Sequence, residues 1–242
     1  YAPLAGRPRG RVGLFAGCIG RGQQGGAIAS ALRLLRHCGF AVWLPKSQPC
    51  CGAQARHAGD VRGATRLATR SRALFSHELD AVVSLVSGCG VHLEDYRPPM
   101  PAPHFDIHRF LLERGGLRPS DFSPLARDVA LHSPCSIENT YRGAQWVSTL
   151  LELIPGLQIA PIGVAGQCCG AAGDYMLRRP QTAARLRSPL VEQMLDKGHT
   201  LLLTANVGCA MHLAAGLRER GAQVEVLHPV DLLARQLLDR AT

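Results

Sequence analysis

Eight of the nine cysteines in this chain of 242 residues fall into two ordered sets of four. Cys18 is followed by the vicinal pair Cys50-Cys51, with Gly52 behind it, and then by Cys89, with His92 three residues on. Cys135, Cys168-Cys169-Gly170, Cys209 and His212 repeat that order at nearly the same spacing. Thiolates are the usual ligands of iron–sulfur clusters, commonly four to a cluster. Two adjacent cysteines reach different irons if the backbone turns sharply between them. A following Gly permits φ > 0 and lets backbone N–H groups approach the cluster sulfurs, and such hydrogen bonds tune a reduction potential. Zinc also accepts four cysteines, although structural zinc prefers two Cys-x-x-Cys-like pairs to a vicinal pair. A vicinal disulfide or plain buried thiols are the bland readings. The repetition of the whole pattern favours iron–sulfur clusters and, with them, electron transfer.

The histidines admit more than one reading. His92 and His212 lie three residues after the last cysteine of each set, where a helix turn would bring both side chains onto one face. Each is either a further ligand or, the favoured reading, a neighbour that hydrogen-bonds a sulfur or caps the local helix. His132, in His132-Ser133-Pro134-Cys135, reads as a satisfied structural histidine that can also position the loop carrying Cys135. His228 before Pro229 reads as a helix-entry residue and nothing more. Cys38 stands outside the repeat among apolar neighbours and reads as an inert buried thiol.

The elements that must position these residues repeat as well. In the first half, apolar runs at Arg11 to Ala16, Phe40 to Leu44 and Ala81 to Val86 read as strands, each followed by a cysteine. Ala27 to His37 has helical spacing and Gly39 is a stop signal. Asp60 is placed to cap a helix running to about His77. The second half repeats the strands near Val129–His132, Leu157–Pro161 and Leu201–Ala205, with a last strand from Val224 to Leu227. Ser87-Gly88-Cys89-Gly90-Val91-His92-Leu93 matches Val207-Gly208-Cys209-Ala210-Met211-His212-Leu213. Amphipathic helices are expected from Asp106 and from Pro229. Gly115 to Ser123 reads as a linker, dividing the chain into a first cysteine-rich repeat, 1–116, and a second, 117–242. The expected fold is α/β: two pseudo-symmetric βαβ-type halves with clusters at the strand C-terminal ends, where parallel sheets bind their ligands.

Bulk properties narrow the field. The net charge is +9, but only Lys46 and Lys197 are lysines, and the arginines are dispersed without interleaved aromatics. That discounts nucleic acid as a partner and leaves a basic face for an acidic protein as the better reading. No apolar run approaches the length of a membrane span, and no signal peptide is visible. The expected location is cytoplasmic, with at most peripheral association at the inner face of the membrane. A disulfide framework is not expected in a chain of this size without a secretory signal. No Gly-x-Gly-x-x-Gly follows a strand, so neither flavin nor nicotinamide is expected in this chain. The chain begins at Tyr1, not Met, which leaves room for a longer parent protein.

The pattern resembles the cysteine-rich "CCG" domain of iron–sulfur oxidoreductases and of the B subunit of heterodisulfide reductase, from about Val12 to Leu238. Gly17-Cys18, Cys50-Cys51-Gly52-Ala53, Ala58-Gly59-Asp60, Ser87 to Leu93, His132-Ser133-Pro134-Cys135, Cys168 to Tyr175, Gly208-Cys209 and His228-Pro229-Val230 look like the iron–sulfur subunit of glycolate oxidase. The resemblance implies one [4Fe–4S] cluster per repeat, and an FAD-binding 2-hydroxy acid oxidase subunit as the partner that supplies electrons. Those electrons would pass toward a membrane quinone. Such subunits carry an N-terminal ferredoxin-like segment that nothing here matches, so the chain is either the C-terminal part of such a subunit or works with a separate ferredoxin. The heterodisulfide reductase branch has a fifth cysteine where this chain has His92 and His212. That departure weighs against disulfide reduction by the same chemistry.

Overall fold

A computed structural model describes residues 1–238. In the first half, β1 (Gly10–Phe15), β2 (Phe40–Trp43), β3 (Ala81–Ser84) and β4 (His104–Asp106) form a parallel sheet in the order β2-β1-β3-β4. In the second, β5 (Arg127–His132), β6 (Leu157–Ile162), β7 (Leu201–Thr204) and β8 (Glu225–Leu227) form another in the order β6-β5-β7-β8. The two orders are the same, and every pairing is parallel. The duplication of sequence is thus a duplication of fold. The strands β4 and β8 are three residues each. The first of these is not announced by an apolar run, because Pro101 and Pro103 break the segment before it.

The helices are α1 (Cys18–Gln23), α2 (Gly25–His37), α3 (Ala53–His57), α4 (Val61–Leu74), α5 (Ser87–Glu94), α6 (Ile107–Phe110), α7 (Ala144–Leu151), α8 (Tyr175–Arg178), α9 (Pro180–Asp196), α10 (Val207–Glu219) and α11 (Pro229–Gln236). Their caps follow the sequence signals. Asp60 accepts from the Gly63 N–H at 2.8 Å at the start of α4. Gly39, at φ 87°, ends α2 where a side chain would be strained.

One apolar layer joins the halves. Ala27, Ala31, Leu34 and Leu35 of α2 recur at i, i+4, i+7 and i+8 and are fully buried, as one helical face requires. They pack with Ile107 and Phe110 of α6, Val147, Leu150 and Leu151 of α7, and Val230, Leu232 and Leu233 of α11, between the inner faces of both sheets. Helix α2 lies against α11 and α6 against α7. Since α2 corresponds to α7 and α6 to α11, a pseudo-twofold operation exchanges the two pairs. Fully burying one such Leu or Ile contributes roughly 1.5–3 kcal/mol, so neither half is expected to be indifferent to losing the other. The outer faces are covered separately, by Phe15, Phe75, Val82 and Leu93 in the first half and by Leu190, Val191, Leu202 and Leu213 in the second. The segment between the halves is ordered: Phe122 is buried in the shared layer and bridges Leu237, and the Ser123 N–H donates to the Gln236 carbonyl at 2.8 Å.

Candidate metal centres

In a parallel sheet all strand C-termini share one edge. Cys18 follows β1, Cys50 and Cys51 follow β2, and Cys89 sits in the first turn of α5 behind β3. Cys135 follows β5, Cys168 and Cys169 follow β6, and Cys209 sits in the first turn of α10 behind β7. The topology therefore delivers four thiols to each sheet edge, although they are scattered along the sequence.

In the first group the Cys18 and Cys50 sulfurs are 3.5 Å apart and those of Cys51 and Cys89 3.3 Å apart. In the second group the Cys169 and Cys209 sulfurs are 2.9 Å apart, and Cys168 contacts Cys135. Among the described residues no three His, Cys, Asp or Glu side chains are arranged about a single ion; the sulfurs of each group meet in a row, Cys50 touching both Cys18 and Cys51, and Cys168 both Cys135 and Cys169. Each CCG turn places its glycine N–H on the sulfur of the first vicinal cysteine, Gly52 on Cys50 at 3.4 Å and Gly170 on Cys168 at 3.3 Å. The glycines are required twice over. Gly52 has φ 91° and Gly170 φ 87°, and a Cβ there would lie 3.2 Å from the Ala64 carbonyl oxygen of α4 and 2.5 Å from the Ala183 carbonyl oxygen of α9, respectively.

Crowding sets the acidity of the thiols. Hydrogen bonds from Cys18 and Cys51 hold Cys50 far below the ordinary thiol range, while the same contacts push Cys18 and Cys51 up. Cys135 is raised by burial and then by the neighbouring Cys168. Several thiolates at such a site repel one another and are poorly solvated, so full ionisation needs positive charge among them. A metal cluster provides that charge and holds coordinating thiols deprotonated. On donor type, number and the N–H groups aimed at sulfur, each group fits an iron–sulfur cluster.

His92 and His212 stand at matching positions with different partners. The His92 ring packs edge-on against Tyr96 at 5.4 Å, and its Nε2 is buried without a hydrogen bond. His212 has both ring nitrogens engaged: Nε2 lies 3.1 Å from the Ala183 carbonyl, and Nδ1 3.5 Å from the Arg187 guanidinium. It ties α10 to α9 and touches no sulfur through these bonds. Burial lowers the pKa of both imidazoles. His132 joins two strand ends through a 2.9 Å bond between Nδ1 and the Thr204 hydroxyl, and burial pushes its pKa down to about 4. Cys38 is buried at the end of α2 in the shared layer.

Four features escaped the sequence. Tyr96 donates its hydroxyl to the Cys51 carbonyl at 2.6 Å and so pins the first CCG turn. Arg187, 7 % exposed, donates to the His212 carbonyl at 3.2 Å and pairs with Glu219. Ser87, two residues before Cys89, shares a 2.7 Å hydrogen bond with Ser136, next to Cys135, and accepts from Asn206 at 3.2 Å. Asn206 in turn caps α10 by accepting from Gly208 at 2.9 Å, so one polar junction anchors elements from both groups. Lastly, His228 does more than begin α11. Its Nδ1 accepts from Val230, its Nε2 donates to the Leu85 carbonyl at 2.9 Å, and its ring stacks on His108 at 5.2 Å. His108 itself lies 2.8 Å from Asp106, all three side chains being buried. The signal for such contacts is pairing across the pseudo-twofold, which no local spacing carries.

A cavity of 640 Å³ lies between the segments that follow the two CCG turns, lined by Gln54 and His57 on one side and by Gly173, Asp174, Tyr175 and Arg179 on the other. None of the eight cysteines is among its lining residues.

The molecule is a duplicated parallel α/β protein with one four-thiol group at the edge of each sheet. It belongs to the cysteine-rich CCG domain family, whose model matches residues 12–94 and again 129–214. The B subunit of the CoM/CoB fumarate reductase of Methanothermobacter marburgensis is 28 % identical over 229 residues, covering 93 % of this chain and 46 % of that protein. A probable glycolate oxidase iron–sulfur subunit of Bacillus subtilis is 26 % identical over 251 residues, covering 96 % and 56 %. Lactate utilization protein A of Shouchella clausii is 24 % identical over 236 residues, covering 92 % and 98 %. The chain thus spans about half the length of the first two and nearly all of the third. Among solved structures, an aspartate racemase homologue from Pyrococcus horikoshii covers 93 % of this chain and 96 % of its own at a TM-score of 0.38 and 13 % identity, too distant to bear on function. Among the described residues, no helix is long and apolar enough to cross a membrane.

Proposed function

We propose that this chain is the iron–sulfur electron-transfer part of a flavin-linked 2-hydroxy acid dehydrogenase. It relays electrons from an FAD-binding partner subunit toward a quinone, with one [4Fe–4S] cluster per repeat. The observation that carries the reading is the pair of equivalent four-thiol groups, one at the strand C-terminal edge of each sheet. Cys18, Cys50, Cys51 and Cys89 would hold one cluster, and Cys135, Cys168, Cys169 and Cys209 the other. A bound cluster supplies reversible one-electron storage at a potential fixed by its surroundings. The chain's own residues supply those surroundings. The N–H groups of Gly52 and Gly170 donate to sulfur, Tyr96 and Arg187 fix the turns and helices behind the thiols, and the Ser87–Ser136–Asn206 junction holds the two groups in register. The names of the relatives, an iron–sulfur subunit of a probable glycolate oxidase and a lactate utilization protein, support the substrate class.

Anaerobic purification with iron, zinc and acid-labile sulfide assayed on one sample tests the cofactor. Iron and sulfide in near-equal amounts are expected; zinc without sulfide would overturn the reading. Reduction of the loaded protein on mixing with its flavoprotein and a 2-hydroxy acid tests the partner.

The cavity between the segments that follow the two CCG turns favours a second reading, in which a disulfide substrate binds there and is reduced. Turnover of a disulfide with reduced viologen and no flavoprotein would establish it in place of the first.

A further inference from the structure

We propose that the outer face of α3 and α4 is the docking surface for an acidic one-electron carrier protein that exchanges electrons with the first thiol group. The proposal rests on the electron-transfer reading above. Arg62, Arg66 and Arg70 recur every four residues along α4 and so share one face. All three are exposed, and Arg56 of α3, the helix that packs on α4, is exposed as well. From Gln54 to Leu74 the only acidic residue is Asp60, whose carboxylate is occupied in capping α4. Among the described residues none of these four arginines has an ion-pair partner. Like charges at i, i+4 destabilise an isolated helix, so the stripe is a cost to the fold that a partner of opposite sign would relieve.

The duplication supplies an internal comparison. Helix α9 occupies the matching place in the second half, since Gly170 packs on Ala183 as Gly52 packs on Ala64. There the charge is balanced: Arg187 pairs with Glu219, Glu192 pairs with Arg220 at 3.2 Å, and Asp196 ends the helix. One position in the fold thus carries two charge patterns, and only the first-half pattern is purely basic. The first thiol group lies on the other side of α4 from the stripe, separated from it by one helix, about 10 Å across. Gly52, next to Cys51, touches α4 at Ala64, on the buried face of the helix and opposite the arginines. A carrier seated on the stripe would therefore be separated from the first group by a single helix. In each encounter one electron leaves the reduced carrier and one is gained at the first group; no bond is made or broken. The surface from Gln54 to Leu74 contains no Phe, Tyr or Trp on which a base could stack, which favours an acidic protein over single-stranded nucleic acid.

The test uses a plant-type [2Fe–2S] ferredoxin as an acidic probe. Binding of the oxidised probe is measured by calorimetry and reduction of the chain by the reduced probe in stopped flow, at low and high salt. For the wild type both should weaken as salt rises. In R62E/R66E/R70E at low salt, affinity and rate should fall about tenfold or more, since steering by such fields is worth roughly 10- to 1,000-fold. The milder R62Q/R66Q/R70Q should fall less. A control of equal charge change, R118E/R185E/R218E, should stay within about twofold on the same scale. Unchanged binding in the α4 variants, or an equal loss in the control, would overturn the proposal. So would selective loss of a short duplex DNA probe with the ferredoxin rate intact. Iron and sulfide on every sample separate this outcome from failure of the cofactor reading, because binding of the oxidised probe is read whatever the metal content.

Discussion

Replacing each CCG glycine by alanine separates the two halves by a margin that the structure sets. Gly52 and Gly170 share a left-handed backbone, φ 91° and φ 87°, and an L-residue in that region costs about 1–2 kcal/mol. This part is common to both variants. The surroundings differ. At Gly52 the new methyl would meet the Ala64 carbonyl oxygen at 3.2 Å, a contact relieved by a shift of a few tenths of an ångström; at Gly170 it would meet the Ala183 carbonyl oxygen at 2.5 Å. That second oxygen belongs to the backbone of a 17-residue helix, which has no flexible end to move aside. Overpacking of this kind adds about 1–3 kcal/mol. Gly170→Ala should therefore lose ~2–5 kcal/mol, against ~1–2 for Gly52→Ala. A difference of ~1–3 kcal/mol corresponds to about 2–12 °C in Tm for a chain of this size. Thermal unfolding of both variants, purified anaerobically and followed by far-UV circular dichroism, reads it directly. Equal losses, or a larger loss for Gly52→Ala, would refute the reasoning, because they would mean that the helix behind each turn does not set its tolerance.

Cys51→Ser and Cys169→Ser should each lower bound iron by about half, as expected if each group holds its own cluster of four thiolates; full iron in both variants would defeat the ligand assignment. His132 is held neutral by burial, with a folded pKa of about 4 against an ordinary 6.5. A depressed histidine contributes stability above pH 6.5 and loses it as pH falls from 6.5 toward 4, by up to about 3 kcal/mol. His132→Phe, which installs the residue of the matching position Phe15, should flatten that part of a urea-stability profile against pH. Ser87→Ala leaves Ser136 and Asn206 short of a partner at the junction between the halves and should cost about 1–3 kcal/mol in urea unfolding, with little change in iron content.

Much of the scaffold is legible in the sequence because it rests on local signals. Val12 and Leu14, Ala81 to Val83 and Leu201 to Leu203 are apolar runs of strand length, and Gly39 and Asp60 are stop and start signals that act on their own neighbours. The doubled cysteine order carries the site to the same sheet edge twice. What is not legible depends on contacts across the pseudo-twofold. Ser87, Ser136 and Asn206 are ordinary small polar residues until α5 and α10 begin side by side. His228 reads as a helix cap from the following Pro229, and it is one, yet its bond to Leu85 and its stacking on His108 need the shared layer. The strand β4 is hidden by the prolines around it and is defined by pairing with β3.

Duplication explains why the two thiol groups agree in their backbone yet differ behind it. The features both halves retain act through the main chain: a left-handed glycine after each vicinal pair, an N–H on the first sulfur, a cysteine in the first turn of the helix after the third strand. None of these can change without moving a cysteine. The side chains one layer further out are free to trade volume. In the first half Tyr96 fills the space behind the CCG turn and Ala68 gives it room. In the second, Gly216 stands where Tyr96 does, and Arg187, matching Ala68, crosses it with its Nε 2.7 Å from where a Cβ would be. A large residue has moved from one helix to its neighbour, so the same space is filled from the other side, a compensated exchange of the kind that packed interiors tolerate. The exchange replaces a neutral phenol by a guanidinium and redirects His212 to the helix behind it. Since charge, hydrogen bonding and exposure set the properties of a thiolate-held centre, two cysteine groups descended from one sequence are given different surroundings by a swap that leaves the CCG backbone alone.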